Sequence, residues 1–174
     1  MGNQGPEISK SELKKYIDTC VCLNIRKASR AVTRLYDEAL QGTGVRYTQL
    51  IILMVLDHLD NITVSGLAEE LVMDTSTVAR NLRPLEKQKL ISVIPGKDRR
   101  QRIVSLTDKG HDVVKDGLQH WRVAQQKITE NFTPDDFLSH LSSINNISDV
   151  VQRIAEPSSA VAPVVSPDGF AGPR

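Results

Sequence analysis

Apolar side chains recur along most of this chain at helical spacing, and the breaks in that rhythm mark its elements. From about Lys10 to Leu40 the positions Leu13, Ile17, Val21, Ile25, Ala28, Val32, Leu35 and Ala39 follow at steps of three or four, which predicts one long amphipathic helix. Gly42 and Gly44 end it. Thr48 to Leu59 is apolar on nearly every side and predicts a buried helix. Ser65 to Leu71 reads as a short helix with Leu67 and Leu71 inward. The turn Val72-Met73-Asp74 then places Asp74 as the cap of a second helix, from Thr75 to about Lys89. Two short helices joined by a tight turn make a helix-turn-helix. Ile91 to Ile94 and Arg102 to Leu106 read as strands, and the loop Pro95 to Gln101 closes them into a hairpin, or wing.

Helical rhythm resumes after Thr107, a predicted cap, through Val114, Leu118, Trp121, Ala124 and Ile128 to about Asn131. Thr133 and Pro134 start a last helix as N-cap and first residue, with Asp135 and Asp136 near its positive end and a stripe of Phe137, Leu141, Ile144, Val151 and Ile154. Residues 1–9 read as a flexible arm, and the Pro-, Ser- and Ala-rich residues 157–174 as a disordered tail. The expected class is mainly α with a small β-wing: a winged helix-turn-helix lobe over 48–107, preceded by an N-terminal helical segment over 10–47 and followed by C-terminal helices over 108–156. The long helices carry more apolar surface than so small a lobe can cover, which predicts that they pair with a second copy in a homodimer.

Composition adds little, but the distribution of charge changes the picture. The formal net charge is only +1, yet residues 74–102 hold eight basic side chains against Asp74, Glu86 and Asp98. That basic segment sits in an otherwise acidic chain, as a polyanion-binding face requires. Placed on a helical wheel, Val78, Leu82 and Leu85 fix the inward face of the second short helix, and Ser76, Arg80, Arg83 and Lys87 fall opposite, with Thr77 and Asn81 at the flanks. A helix that turns hydroxyl, guanidinium and amide groups outward can read base edges in the major groove of double-stranded DNA. Pro84 lies inside this helix, removes a hydrogen bond to the Arg80 carbonyl, and predicts a kink.

Three motifs in order carry a resemblance: Thr63-Val64-Ser65-Gly66-Leu67-Ala68-Glu69-Glu70-Leu71, then Asp74-Thr75-Ser76-Thr77-Val78, then Leu85 to Ile91. Asp98-Arg99-Arg100 followed by Val104-Ser105-Leu106-Thr107 and Gly110 completes it. Over about residues 10–155 the chain resembles the MarR family of bacterial regulators, departing from the pattern at Arg46 and Pro84. The resemblance implies a dimer with a winged lobe on each side, bound to a pseudo-palindromic operator and released by a small molecule, such as an aromatic or phenolic acid, or by an oxidant. The expected DNA-binding residues are Ser65, Thr75, Ser76, Thr77, Arg80, Asn81, Arg83, Lys87, Lys97, Asp98, Arg99 and Arg100. Arg100 is the expected minor-groove arginine, and Asp98 the partner that orients it.

Effector pockets in the family lie between the dimer helices and the winged lobe, which nominates Cys22, Arg26, Tyr36, His58 and Trp121. Cys20 and Cys22, read as pointing about 200° apart on one helix, admit a thiol-based oxidant sensor as an alternative, with Arg26 one turn after Cys22 as the cationic neighbour. A winged helix that binds only protein is a further alternative, although it calls for no basic outward face. The sequence has no Cys-x-x-Cys, and His58, His111, His120 and His140 form no ligand cluster, so neither metal, cofactor nor catalysis is expected. The longest apolar run, Leu50 to Leu56, is too short to cross a bilayer, and residues 1–19 lack an apolar signal segment, so a cytoplasmic location is expected.

Overall fold

The computed structural model describes residues 8–98 and 101–155, so the expected tail at 157–174 and most of the expected arm lie outside the described residues. Ser9, read as part of that arm, instead caps the first helix. Its hydroxyl accepts from the Glu12 amide at 3.3 Å while the Glu12 carboxylate accepts from the Ser9 amide at 3.0 Å. The Ser9 hydroxyl, donating to the Glu12 carboxylate at 2.7 Å, and the Ser9 amide hold that carboxyl below its ordinary range.

The long amphipathic run is helical but divided. α1 spans Lys10–Thr19 and α2 spans Val21–Ala39, with Cys20 extended between them at φ −69° and ψ 106°. The expectation of one unbroken helix, with both cysteines on it, is therefore corrected. Thr19, Cys20, Val21 and Cys22 form a run of weak helix formers. Locally, the Thr19 hydroxyl donates back to the Lys15 carbonyl at 2.8 Å, and Asn24 Nδ2 donates to the carbonyls of Asp18 and Cys20, each at 3.0 Å. The Asn24 side chain thus satisfies the Asp18 carbonyl, which a continuous helix would have bonded through the Cys22 amide.

α3 spans Tyr47–Leu59 and buries Leu50, Ile52, Leu53 and Leu56. A two-residue strand, β1 (Ile62–Thr63), leads into α4 (Val64–Glu70) and α5 (Thr75–Lys87), and the hairpin follows as β2 (Ile91–Pro95) and β3 (Arg102–Leu106). The sheet order is β1-β3-β2, antiparallel, with Ile62 and Val93 both opposite Val104. The core is continuous from Leu50 and Leu53 through Leu67, Val78 and Leu85 to Leu90, Ile91 and Val104. No charged or polar residue is fully buried among the described residues.

α6 spans Asp108–Thr129 and α7 spans Pro134–Ala155. Thr107 caps α6 as expected, its hydroxyl accepting from the Gly110 amide at 3.1 Å. Gly110 is demanded by proximity: a Cβ there would stand 2.2 Å from the Leu90 carbonyl oxygen, so only glycine lets α6 lie against the end of α5 and the wing. Thr133 caps α7 in turn, accepting from the Asp136 amide at 3.2 Å. The chain divides into two compact units, one running to Ile128 and one beginning at Thr129, so α6 up to Ile128 belongs with the winged lobe.

Candidate DNA-binding face

α5 begins with a tightly built cap. Asp74 Oδ1 accepts from the Thr77 amide at 2.8 Å and from the Ser76 hydroxyl at 2.5 Å, and its Oδ2 accepts from the Thr77 hydroxyl at 2.6 Å. These bonds, led by the two hydroxyls, pull the Asp74 carboxyl far below the ordinary carboxylate range. They also set chemistry. With their protons given to Asp74, the Ser76 and Thr77 oxygens keep only acceptor capacity, which suits the exocyclic amino groups of adenine or cytosine in the major groove.

The inward face of α5 is Val78, Leu82 and Leu85, all buried, and α4 covers it with Leu67 and Ala68. With that face fixed, Thr75, Ser76, Arg80, Arg83 and Lys87 are exposed, while Thr77 and Asn81 are half-buried at the flanks, as the wheel requires. Asn81 Nδ2 donates to the Thr77 carbonyl at 3.1 Å, which holds that amide along the helix. The helix runs uninterrupted across Pro84 to Lys87. Ser65, in the first turn of α4, is exposed, with its hydroxyl 3.2 Å from that of Thr63, the α4 cap.

The turn between the helices is strained. Val72 follows the end of α4 at φ 51°, where a β-branched side chain is rarely found, and the Met73 amide donates to the Ala68 carbonyl at 2.8 Å. In the wing, Lys97 and Asp98 are exposed. The Gln101 amide donates to the Asp98 carbonyl and the Gly96 amide to the Gln101 carbonyl, both at 2.9 Å. Arg99 and Arg100 lie outside the described residues.

The five residues nominated for an effector differ in setting. Tyr36 is buried and stacked, its ring 4.6 Å from that of Tyr47 and 6.3 Å from that of Trp121, and its hydroxyl donates to Gln125 Oε1. Burial raises both phenol pKa values. Tyr36 and Trp121 therefore join α2, α3 and α6 as packing, while Cys22, Arg26 and His58 are exposed and take no part in the stack. An open groove of about 690 Å³ is lined instead by the second half of α2 and the loop after it, including Arg30, Arg34, Asp37 and Arg46, and by none of the five. Asp37 Oδ1 accepts from the Tyr47 amide at 2.7 Å and so ties the start of α3 to α2. Sequence reasoning missed Asp37, Tyr47 and Gln125, whose partners lie too far along the chain for local periodicity to pair them. Cys20 and Cys22 are both free and exposed, one at the break between α1 and α2 and the other in the first turn of α2.

Comparison with known proteins places this geometry. Residues 43–101 match the MarR family. The chain is 27% identical over 99 residues to the HTH-type transcriptional regulator SarZ of Staphylococcus epidermidis, a match covering 56% of this chain and 67% of that protein. It is 28% identical over 95 residues to the organic hydroperoxide resistance transcriptional regulator of Bacillus subtilis, covering 54% of this chain and 65% of that one. These matches span about two thirds of each relative's length. Among solved structures, the transcriptional regulator MosR of M. tuberculosis in complex with DNA superposes with a TM-score of 0.67 at 26% identity, covering 76% of this chain and 98% of that one. The capped helix-turn-helix and the three-stranded wing sheet thus fall largely within the segment that matches the MarR family, and the chain is similar in sequence and fold to transcriptional regulators.

Proposed function

We propose that the chain is a sequence-specific DNA-binding regulator that acts as a homodimer and represses from a pseudo-palindromic operator until an effector releases it. The observation that carries this reading is the two-sided α5: Val78, Leu82 and Leu85 buried on one side, Ser76, Arg80, Arg83 and Lys87 exposed on the other. The basic segment supplies phosphate affinity, the cap supplies acceptors, and the arginines supply guanine readout. Dimerisation is supported by α7, none of whose residues is buried, and it assigns 10–47 and 108–156 to the paired helices. The reading assigns no catalytic step to the chain. It places the protein in the cytoplasm with the DNA, and no helix of the described residues is long and apolar enough to cross a membrane.

The test is a gel shift on duplexes selected from a random pool, repeated over a range of salt. Affinity should fall steeply with salt, and Arg80→Ala should weaken the selected duplex by about 1–3 kcal/mol while relaxing the preference at one base pair. Salt-independent binding, or equal binding to every duplex, would contradict the reading.

Release by an aromatic or phenolic acid is the first reading for the effector. A second reading, release by an oxidant, is favoured by the exposure of both thiols at a helix break, where oxidation meets no steric barrier. Hydroperoxide should then free DNA from the native protein but not from the double variant Cys20→Ser, Cys22→Ser. Equal release from both removes the thiols from the switch.

A further inference from the structure

The register of the wing fixes the direction of a cation that the family motifs leave aside. Residues directly opposite in an antiparallel ladder share a face, and alternate residues along a strand return to it. Ile91 pairs with Leu106, Val93 with Val104 and Pro95 with Arg102. Val104 is fully buried and Ile91 is 3% exposed, so this is the core face of the sheet. Arg102 continues that same face past the edge of the core, where it becomes exposed. It therefore leaves the hairpin on the side where α4 and α5 pack, rather than on the outer side with Ser92 and the 51%-exposed Ile94.

Its backbone is well held. The Gly96 amide donates to the Gln101 carbonyl at 2.9 Å immediately before it, and a Cβ on Gly96 would stand 2.9 Å from Gln101 Cβ, so the stem of the hairpin closes tightly there. Among the described residues no carboxylate pairs with Arg102. Arg102, without a carboxylate partner, thus follows the wing tip that presents Lys97 and lies on the face of the hairpin against which α5, the helix of Arg80 and Arg83, packs. When a helix enters a major groove and a wing reaches the neighbouring minor groove, one phosphate strand runs between them.

We propose that Arg102 is a phosphate clamp at the base of the wing, its planar fork gripping the backbone strand that separates the two grooves. This rests on the DNA-binding reading above and adds to it a contact that carries position rather than sequence.

The test compares the wild type, Arg102→Ala and Arg102→Lys by fluorescence anisotropy on a selected duplex and on an unrelated duplex of the same length, across a salt series. Arg102→Ala should weaken both duplexes by the same factor, about tenfold, and reduce the slope of log affinity against log salt by about 1. Arg102→Lys should keep the slope, because the charge remains. All three proteins should melt together, since the side chain is exposed. An unchanged affinity and slope for Arg102→Ala, or a loss confined to the selected duplex, overturns the clamp while the wild type's own salt dependence leaves the DNA-binding reading standing. A wild type that shows no salt-dependent binding overturns both.

Discussion

The winged lobe and the terminal helix α7 hold similar proportions of apolar residues and use them in opposite ways. In the lobe, Leu50, Leu53, Leu67, Val78, Leu85 and Val104 are each fully buried, and α4 and α5 are tied at both ends by a cap or a turn. α7 buries nothing: Leu138, Ile144, Val151 and Ile154 are 62%, 59%, 54% and 77% exposed. α1 is alike, with no buried residue. The lobe therefore reads as self-sufficient. The dimer proposed above gives the outer helices their cover, because an apolar stripe of this length is not left in water by a stable monomer.

That contrast makes mutations of equal chemistry unequal in effect. Leu53→Ala, at a position with no exposure, should lower stability by about 2–5 kcal/mol in urea titration at any protein concentration. Ile144→Ala should instead leave the stability of the lobe within about 0.5 kcal/mol and appear as a weaker dimer, with melting that depends more strongly on concentration. Equal and concentration-independent losses from the two would erase the distinction.

Within the lobe the strained turn offers a smaller and opposite effect. Val72→Gly places at φ 51° a residue that has no Cβ to clash, so the variant should gain up to about 1 kcal/mol and melt roughly 2–4 °C higher. A fall in melting temperature would show that the exposed valine packs in some other way.

The smallest effect concerns acid. The Asp74 carboxyl is depressed in the fold by the hydroxyls of Ser76 and Thr77 and by the Thr77 amide. A depressed acid adds stability above its unfolded pKa, and that increment is lost as pH falls through the folded value, so the loss should begin below about pH 4. Asp74→Asn keeps a capping oxygen but cannot titrate. Its stability should lie slightly below wild type at neutral pH, with the gap closing as the solution becomes acid. A gap that stays constant with pH removes the carboxylate from the account.

Much of the lobe was legible in the sequence because local rules decide it. Asp74 caps α5, Thr107 caps α6, and the wheel position of Val78, Leu82 and Leu85 settles which side chains face out. The break at Cys20 was hidden, since Ile17, Val21 and Ile25 keep the helical period straight through it, and a period cannot register that the Asn24 side chain takes the Asp18 carbonyl. β1 was hidden by its length: two residues become a strand only because Ile62 meets Val104 from a distant part of the chain. The packing of Tyr36 was the least legible, because it depends on a contact with Gln125, 89 residues away.

The central claim is that two α5 helices, carried by one dimer, read one duplex. Half-sites for such a pair lie about 10 base pairs apart, one turn of the double helix. A duplex found by selection can be rebuilt with about half a turn more, some 5 base pairs, between its halves, which turns them to opposite sides of the DNA. The account predicts that affinity for the altered duplex falls to that of an unrelated one, while each half-site sequence is untouched. Undiminished binding would contradict it, because it would mean that each lobe reads its half-site alone and that the long helices do not set the spacing.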